Sequence, residues 1–244
     1  NIYDLLIGAN ITSDYHLDGY ISNLRICKGH AVYTGNFTVP TRELEVHTGA
    51  KGVVFPAADN RTVLLACQSS TDATAEATGR HIITVDGDAT AADANPGLIR
   101  KTNITSTITE NTGSVFFDGT GDYLQVLPSD DLSLTGDFTV EYWTYLTGTE
   151  NNMRQISSGN YYGGGYNGNW YFGLNATQNN IIFYTYDGQS NAESISIDYT
   201  PSLNTWYHIA AARVGNTVTI YINGVSVGSG TISKDLVDGA AGGL

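Results

Sequence analysis

The chain has 244 residues, a formal net charge of −13 at pH 7 and only 14% charged residues. That charge excludes nucleic acid, whose binders need a basic footprint, and gives no attraction to anionic membranes. No run of about 18 consecutive apolar residues exists, which excludes a membrane-spanning helix. The length suffices for one large β-sandwich with a sizeable core.

Residues 1–40 hold short apolar runs: LIGAN at 6–10, DGYISNLRICKG at 18–29 and AVYTGNF at 31–37. A piece this short builds no core of its own, since domains below about 40 residues need outside help. It must therefore join a sheet. Residues 41–61 (TRELEVHTGAKGVVFPAADNR) read as a connector, longer than an ordinary loop and able to carry a strand. No signal peptide and no initiator Met are present, the only Met being Met153. The sequence is expected to be either processed or part of a longer one.

From residue 62 onward period-2 patterning dominates. It predicts strands at Val63–Cys67, Val115–Phe117, Tyr123–Val126, Trp170–Leu174, Ile181–Tyr186 and Ser194–Asp198. In FTVEYW, Phe138, Val140 and Tyr142 share one face, and Thr139, Glu141 and Trp143 the other. Trp206–Val214, Thr217–Ile222 and Val225–Gly228 read as a meander, because Asn223-Gly224 is a strong type I′ hairpin signal. Residues 87–111 are polar and carry the turn Asn95-Pro96-Gly97, so a surface loop is expected there. No window of about 11 residues shows capped helical periodicity. Cys27 and Cys67 lie in apolar strand-like runs, which favours burial as free thiols over a disulfide. Two cysteines do not fix the redox compartment.

Five segments together resemble a known family: TVLLACQ at 62–68, GSVFFDGTGDYL at 113–124, GDFTVEYW at 136–143, NTWYHIA at 204–210 with VTIYINGV at 218–225, and the two runs at 18–29 and 31–37. They are similar to laminin G-like, concanavalin A-like jelly rolls of the kind repeated in phage virion, tail-fibre and bacterial surface proteins. The resemblance touches most of the chain. Its order departs from the family, because the closing strands come first. It implies an all-β, antiparallel jelly-roll sandwich completed by strands across a repeat boundary. Residues 1–40 would be a donor segment, 41–61 a connector, and 62–244 a body lacking its own closing strands.

Three arrangements follow: a circular permutant, strand donation to a neighbouring copy, or one period of a covalent tandem array. The last two make a head-to-tail fibre and are favoured here, with copies of the chain as partners. The donor interface is then expected at Tyr20, Ile21, Leu24, Ile26, Val32, Tyr33 and Phe37.

Catalysis is not expected. Glucanases of the family carry E-x-D-x-E along one strand, whereas Glu141 stands alone here. No G-x-S-x-G elbow and no Cys/His zinc spacing occurs. Calcium is the cofactor the family suggests. Asp118 and Asp122 flank a Gly-rich turn, Asp86-Gly87-Asp88 is a second pair, and hard oxygen ligands suit that ion. Asp-Gly is also ordinary turn chemistry. Tyr161, Tyr162, Tyr166 and Trp170 crowd the Gly/Asn-rich stretch NYYGGGYNGNWYF, where aromatics offer a sugar-stacking platform or a contact with a neighbour. Sequons for N-glycosylation occur at Asn10, Asn36, Asn60, Asn103 and Asn175, about as many as chance gives in a chain this rich in Asn, Ser and Thr. The expected function is a structural unit of an extracellular or virion fibre, and the rival is a glycan-binding adhesin module taking surface polysaccharide.

Overall fold

Alternating apolar and polar residues sort fifteen described strands into two facing antiparallel sheets. The computed structural model describes residues 4–10, 15–46, 61–98, 112–149, 153–162, 165–175, 179–186 and 192–236, with backbone alone at 160–162 and 165–169. The strands are β1 (Leu5–Ile7), β2 (Asp18–Lys28), β3 (Thr62–Ala66), β4 (Ile83–Asp86), β5 (Thr90–Ala92), β6 (Ser114–Asp118), β7 (Tyr123–Val126), β8 (Phe138–Leu146), β9 (Ile156–Tyr162), β10 (Gly165–Asn175), β11 (Asn180–Tyr186), β12 (Ala192–Asp198), β13 (Trp206–Val214), β14 (Thr217–Ile222) and β15 (Val225–Thr231). One sheet runs β12-β11-β10-β9-β1-β7-β4. The other runs β15-β14-β13-β8-β2-β6-β5, with β3 paired to the far half of β2. Between them lies a core that includes Ile21, Phe117, Phe138, Tyr142, Phe172, Phe183, Ile209 and Ile220. The jelly-roll sandwich expected from the sequence is the fold of the chain.

The closing strands come from the chain itself. β1 lies between β7 and β9, with Leu6 opposite Gln125 and Ser157. β2 lies between β6 and β8. Ile21, Leu24 and Ile26, expected to dock on another copy, are buried in their own chain's core. This differs from the expectation of a donor segment and of a body without closing strands: the two strands occupy their own chain's sheets, the placement a circular permutant would have. The physical reason is that closure in cis costs only loop entropy, which grows slowly with length and does not depend on concentration. A second correction concerns residues 87–111. Within that expected loop, Thr90–Ala92 pairs with Ser114–Phe116 as the strand at the sheet edge.

β2 carries a bulge between Ser22 and Arg25 on its β8 side. Asn23 sits there at φ 52° and is fully buried. Its Oδ1 accepts from the Leu44 N–H at 3.0 Å and from Gln68 Nε2 at 2.8 Å. Its Nδ2 donates to Ser22 Oγ and Thr112 Oγ1, both at 2.9 Å. One amide thus ties four separate chain segments together. Asn23→Ala should cost about 3 kcal/mol, because several buried partners lose their mate and a left-handed position loses a tolerant residue. The check is a drop in the urea midpoint with an unchanged m-value.

Candidate functional site

The side chains of β8 decide what the outer face of the eight-stranded sheet can offer. Phe138, Val140, Tyr142 and Leu146 turn into the core, so Thr139, Glu141, Trp143 and Tyr145 face outward. Register then places neighbours beside them. Tyr20 lies opposite both Phe116 and Tyr145, and Tyr145 opposite Trp206. The four rings form a row across β6, β2, β8 and β13, with centroid separations of 4.9, 5.8 and 5.4 Å. All four are partly exposed. Three strand gaps span about 14 Å. Neighbouring rings are inclined at 43°, 80° and 54°, so the row is a ridged aromatic strip, long enough for an extended ligand rather than a single ring.

The row has an exposed polar border on one side only. One pleat along lie Ser22, Trp143 and His208, paired in register and buried. One pleat the other way Asp18 lies opposite Asp118. The Asp118, Asp88 and Asp122 carboxylates each place an oxygen within 4.8 Å of the others. Asp122 is buried and organises the loops, since its Oδ1 accepts from the Asp88 N–H at 2.7 Å and its Oδ2 from the Asp118 N–H at 3.0 Å. Asp118 Oδ1 accepts from the Thr120 N–H, an Asx turn. Asp88 is exposed, and its carboxyl is raised by its hydrogen bond to Asp122 and by the charges of Asp122 and Asp118. Of the three, Asp88 and Asp118 face solvent and are the ones that could hold a cation. Asp118 and Asp122, paired in the sequence, lie side by side in space with Asp88 as a third neighbour.

The other half of this face is covered. The chain leaves β2 at Gly29, crosses the sheet and returns at Leu44. On the way the Val32 N–H donates to Thr139 Oγ1, and the Phe37 N–H to the Gly224 carbonyl, each at 2.8 Å. Tyr33 and Phe37 stack at 3.6 Å over a small cluster with Cys27, Ala210, Ala212 and Tyr221. Beneath them is a buried ion pair. Arg25 Nε donates to Glu141 Oε1 at 2.8 Å. Tyr33 donates its hydroxyl to Oε2 at 2.7 Å, and His208 Nε2 lies 3.1 Å from the same oxygen. Burial alone would raise the Glu141 carboxyl, but the Arg25 charge and the bonds from His208 and Tyr33 outweigh it and hold the carboxyl at about 2. An ionised carboxylate only accepts, so His208 carries its proton on Nε2.

Glu, His and Cys side by side are ingredients of nucleophilic chemistry, but this set is sealed. Glu141 and His208 are 0% exposed, and burial pushes the Cys27 thiol up. A low pKa is what activates a thiol, so this one is structural. Cys27 and Cys67 are both free and buried.

Other expected site residues fare differently. Trp170, expected on a sugar platform, is 2% exposed and stacks on Phe183 at 6.0 Å. The correction has a simple cause: β10 alternation turns Trp170 inward with Phe172 and Leu174. The side chains of Tyr161, Tyr162 and Tyr166 lie outside the described residues. Tyr33 and Val32 are buried against their own sheet, Phe37 is half-buried there, and Tyr20 stands in the aromatic row. Asn175 is fully buried, which removes it as a glycosylation acceptor. Asn36 is exposed and its Oδ1 accepts from the Ser226 N–H at 2.9 Å. Asn10 is half-buried, and Asn60 and Asn103 lie outside the described residues. Phe116, Tyr145 and Trp206 were missed, because a row across strands needs register, which one strand's alternation does not carry.

A family model described as the concanavalin A-like lectin/glucanases superfamily, of laminin G type, matches residues 118–244, more than half of the chain. The chain belongs to that superfamily. No curated protein matches it, and no solved structure matches it. The matched stretch of this concanavalin A-like chain begins at the end of β6. It leaves out β1 and β2, the strands whose place in the chain departs from the family order. The superfamily name joins sugar binders with sugar-cleaving enzymes. Glu141, the lone carboxylate of its FTVEYW strand, is sealed beneath Tyr33, where no substrate reaches it.

Proposed function

We propose that the chain is a non-catalytic glycan-binding module of an extracellular or virion-surface protein, and that Phe116, Tyr20, Tyr145 and Trp206 form its platform. The observation that carries this reading is the uncovered aromatic row on a sheet face whose other half is roofed. Aromatic faces take the apolar faces of sugar rings, while a polar rim orients hydroxyls. Asp18, Asp88 and Asp118 border the row, so the ligand there is neutral. Their oxygens accept from sugar hydroxyls, and Asp88 with Asp118 would hold Ca²⁺ if the module uses it. Because β1 and β2 fill their places in cis, head-to-tail strand donation is not the reading favoured here.

Trp206→Ala and Tyr20→Ala are each expected to weaken binding about tenfold or more, as removal of a central aromatic anchor does. Isothermal titration against cello-, xylo- and manno-oligosaccharides, with calcium and with chelator, is the measurement. Both residues are partly exposed, so melting temperatures should change little. Absence of binding to any neutral glycan, or binding indifferent to both substitutions, would defeat the reading. Equal affinity with chelator would remove calcium alone.

A further inference from the structure

The seven-stranded sheet presents the opposite outer face of the molecule, and a cation is set into it. Arg154 precedes β9 and is only 6% exposed. Its guanidinium lies over the Tyr171 ring at 3.9 Å and 5.7 Å from the Tyr15 ring centroid. Tyr184 stacks behind Tyr171 at 4.8 Å and 13°. One amino group donates to the Met153 carbonyl at 3.3 Å, and Nε is buried without a partner. Among the described residues no carboxylate pairs with it, although the chain has 24 acidic side chains against 11 basic ones. Arg25, by contrast, is buried with a carboxylate in contact.

A buried guanidinium without a counter-charge is unfavourable, and its planar fork matches a carboxylate. We infer that Arg154, with Tyr15 and Tyr171, is a binding site for the carboxylate of an acidic sugar. The carboxylate supplies through the guanidinium edge a counter-charge that no described residue provides, and the attached ring lies beside Tyr15 and the edge of Tyr171, whose faces Arg154 and Tyr184 cover. Burial lowers the proton affinity of Arg154 while the Tyr171 hydroxyl raises it; an anion in contact would add to the second effect. Among the described residues the titratable groups that act on Arg154 are Tyr171 and Tyr15. This site is independent of the row on the other sheet.

The probe is an oligogalacturonate, compared with its neutral methyl ester and with inorganic sulfate, in titration calorimetry at low salt and at about 0.15 M salt. The expected result is binding of the oligogalacturonate, at least tenfold weaker binding of the ester, and further weakening by added salt. Arg154→Lys keeps the charge but loses the fork, and should lose about tenfold. Arg154→Gln should abolish binding. If Arg154→Gln fails to fold, Arg154→Lys and Tyr171→Phe carry the test, read together with unchanged binding of neutral glycan on the other face. No binding of the oligogalacturonate would overturn the proposal. So would equal affinity for the ester, full affinity in Arg154→Lys, or sulfate binding as tightly as the acidic sugar.

Discussion

Glu141→Leu is expected to lower the unfolding free energy by about 3–5 kcal/mol, the usual penalty for stranding one member of a buried ion pair. Arg25 would keep its charge at 1% exposure after losing the Glu141 carboxylate, and the Tyr33 hydroxyl and His208 Nε2 would lose their acceptor. The double variant Arg25→Leu/Glu141→Leu should recover much of the loss, because the charge disappears with its partner. The wild-type protein should also be acid-sensitive at this site. The Glu141 carboxyl sits at about 2 in the folded chain against an ordinary 4.5. Its contribution is therefore whole above pH 4.5 and is lost as pH falls towards 2, roughly 3 kcal/mol in all. Guanidinium denaturation at pH 7 and through the acid range measures both effects. A single-variant loss below about 1 kcal/mol would show that the pair contributes nothing special.

Deleting residues 1–28 should abolish cooperative folding. It removes β1 from the middle of one sheet and β2 from the middle of the other. Leu5, Ile7, Leu17, Ile21, Leu24 and Ile26 are each 0% exposed. At about 1.5–3 kcal/mol per buried side chain their loss, about 9–18 kcal/mol together, is as large as the roughly 5–15 kcal/mol that holds a domain folded. The remaining chain would expose two gaps edged by unpaired apolar strands, an aggregation hazard. Thermal unfolding and dye binding to exposed apolar surface are the readouts. A synthetic peptide of residues 1–46 added in trans should restore a melting transition. A truncated chain that stays soluble and melts cooperatively by itself would show that the two strands are accessory.

Most strand positions were legible because alternation is local. Tyr123–Val126 and Thr217–Ile222 coincide with β7 and β14, and Asn223-Gly224 closes the hairpin that the turn residues imply. The bulge in β2 also leaves a trace: apolar positions 21, 24 and 26 change phase, which an unbroken strand does not do. Strands with mixed composition were not legible. Thr90–Ala92 has no apolar alternation, and its strand character comes from pairing with β6. The candidate site divides the same way. Asp118 and Asp122 lie four residues apart and were found; Asp88 joins them only through the pairing of β5 with β6 and β4 with β7. Arg154 carries no sequence signal, since its place over Tyr171 depends on how β9 meets β10.

Chain order also sets a timetable for biosynthesis. β2 is made early, yet its central partner β8 is complete only at Leu146. At about 5–20 residues per second, some 6–24 seconds separate the end of one from the end of the other. During that interval Ile21, Leu24 and Ile26 have only β3 and then β6 to pair with, and lack the central strand of their sheet. A nascent chain of this design offers a chaperone an early, apolar and long-lived target, and slowing translation lengthens the exposure instead of easing it. A version reordered to place residues 1–46 last would emerge with its sheets half built and its closing strands arriving on demand. Yield from a cell-free system, compared between the two orders at one elongation rate, would read the difference directly.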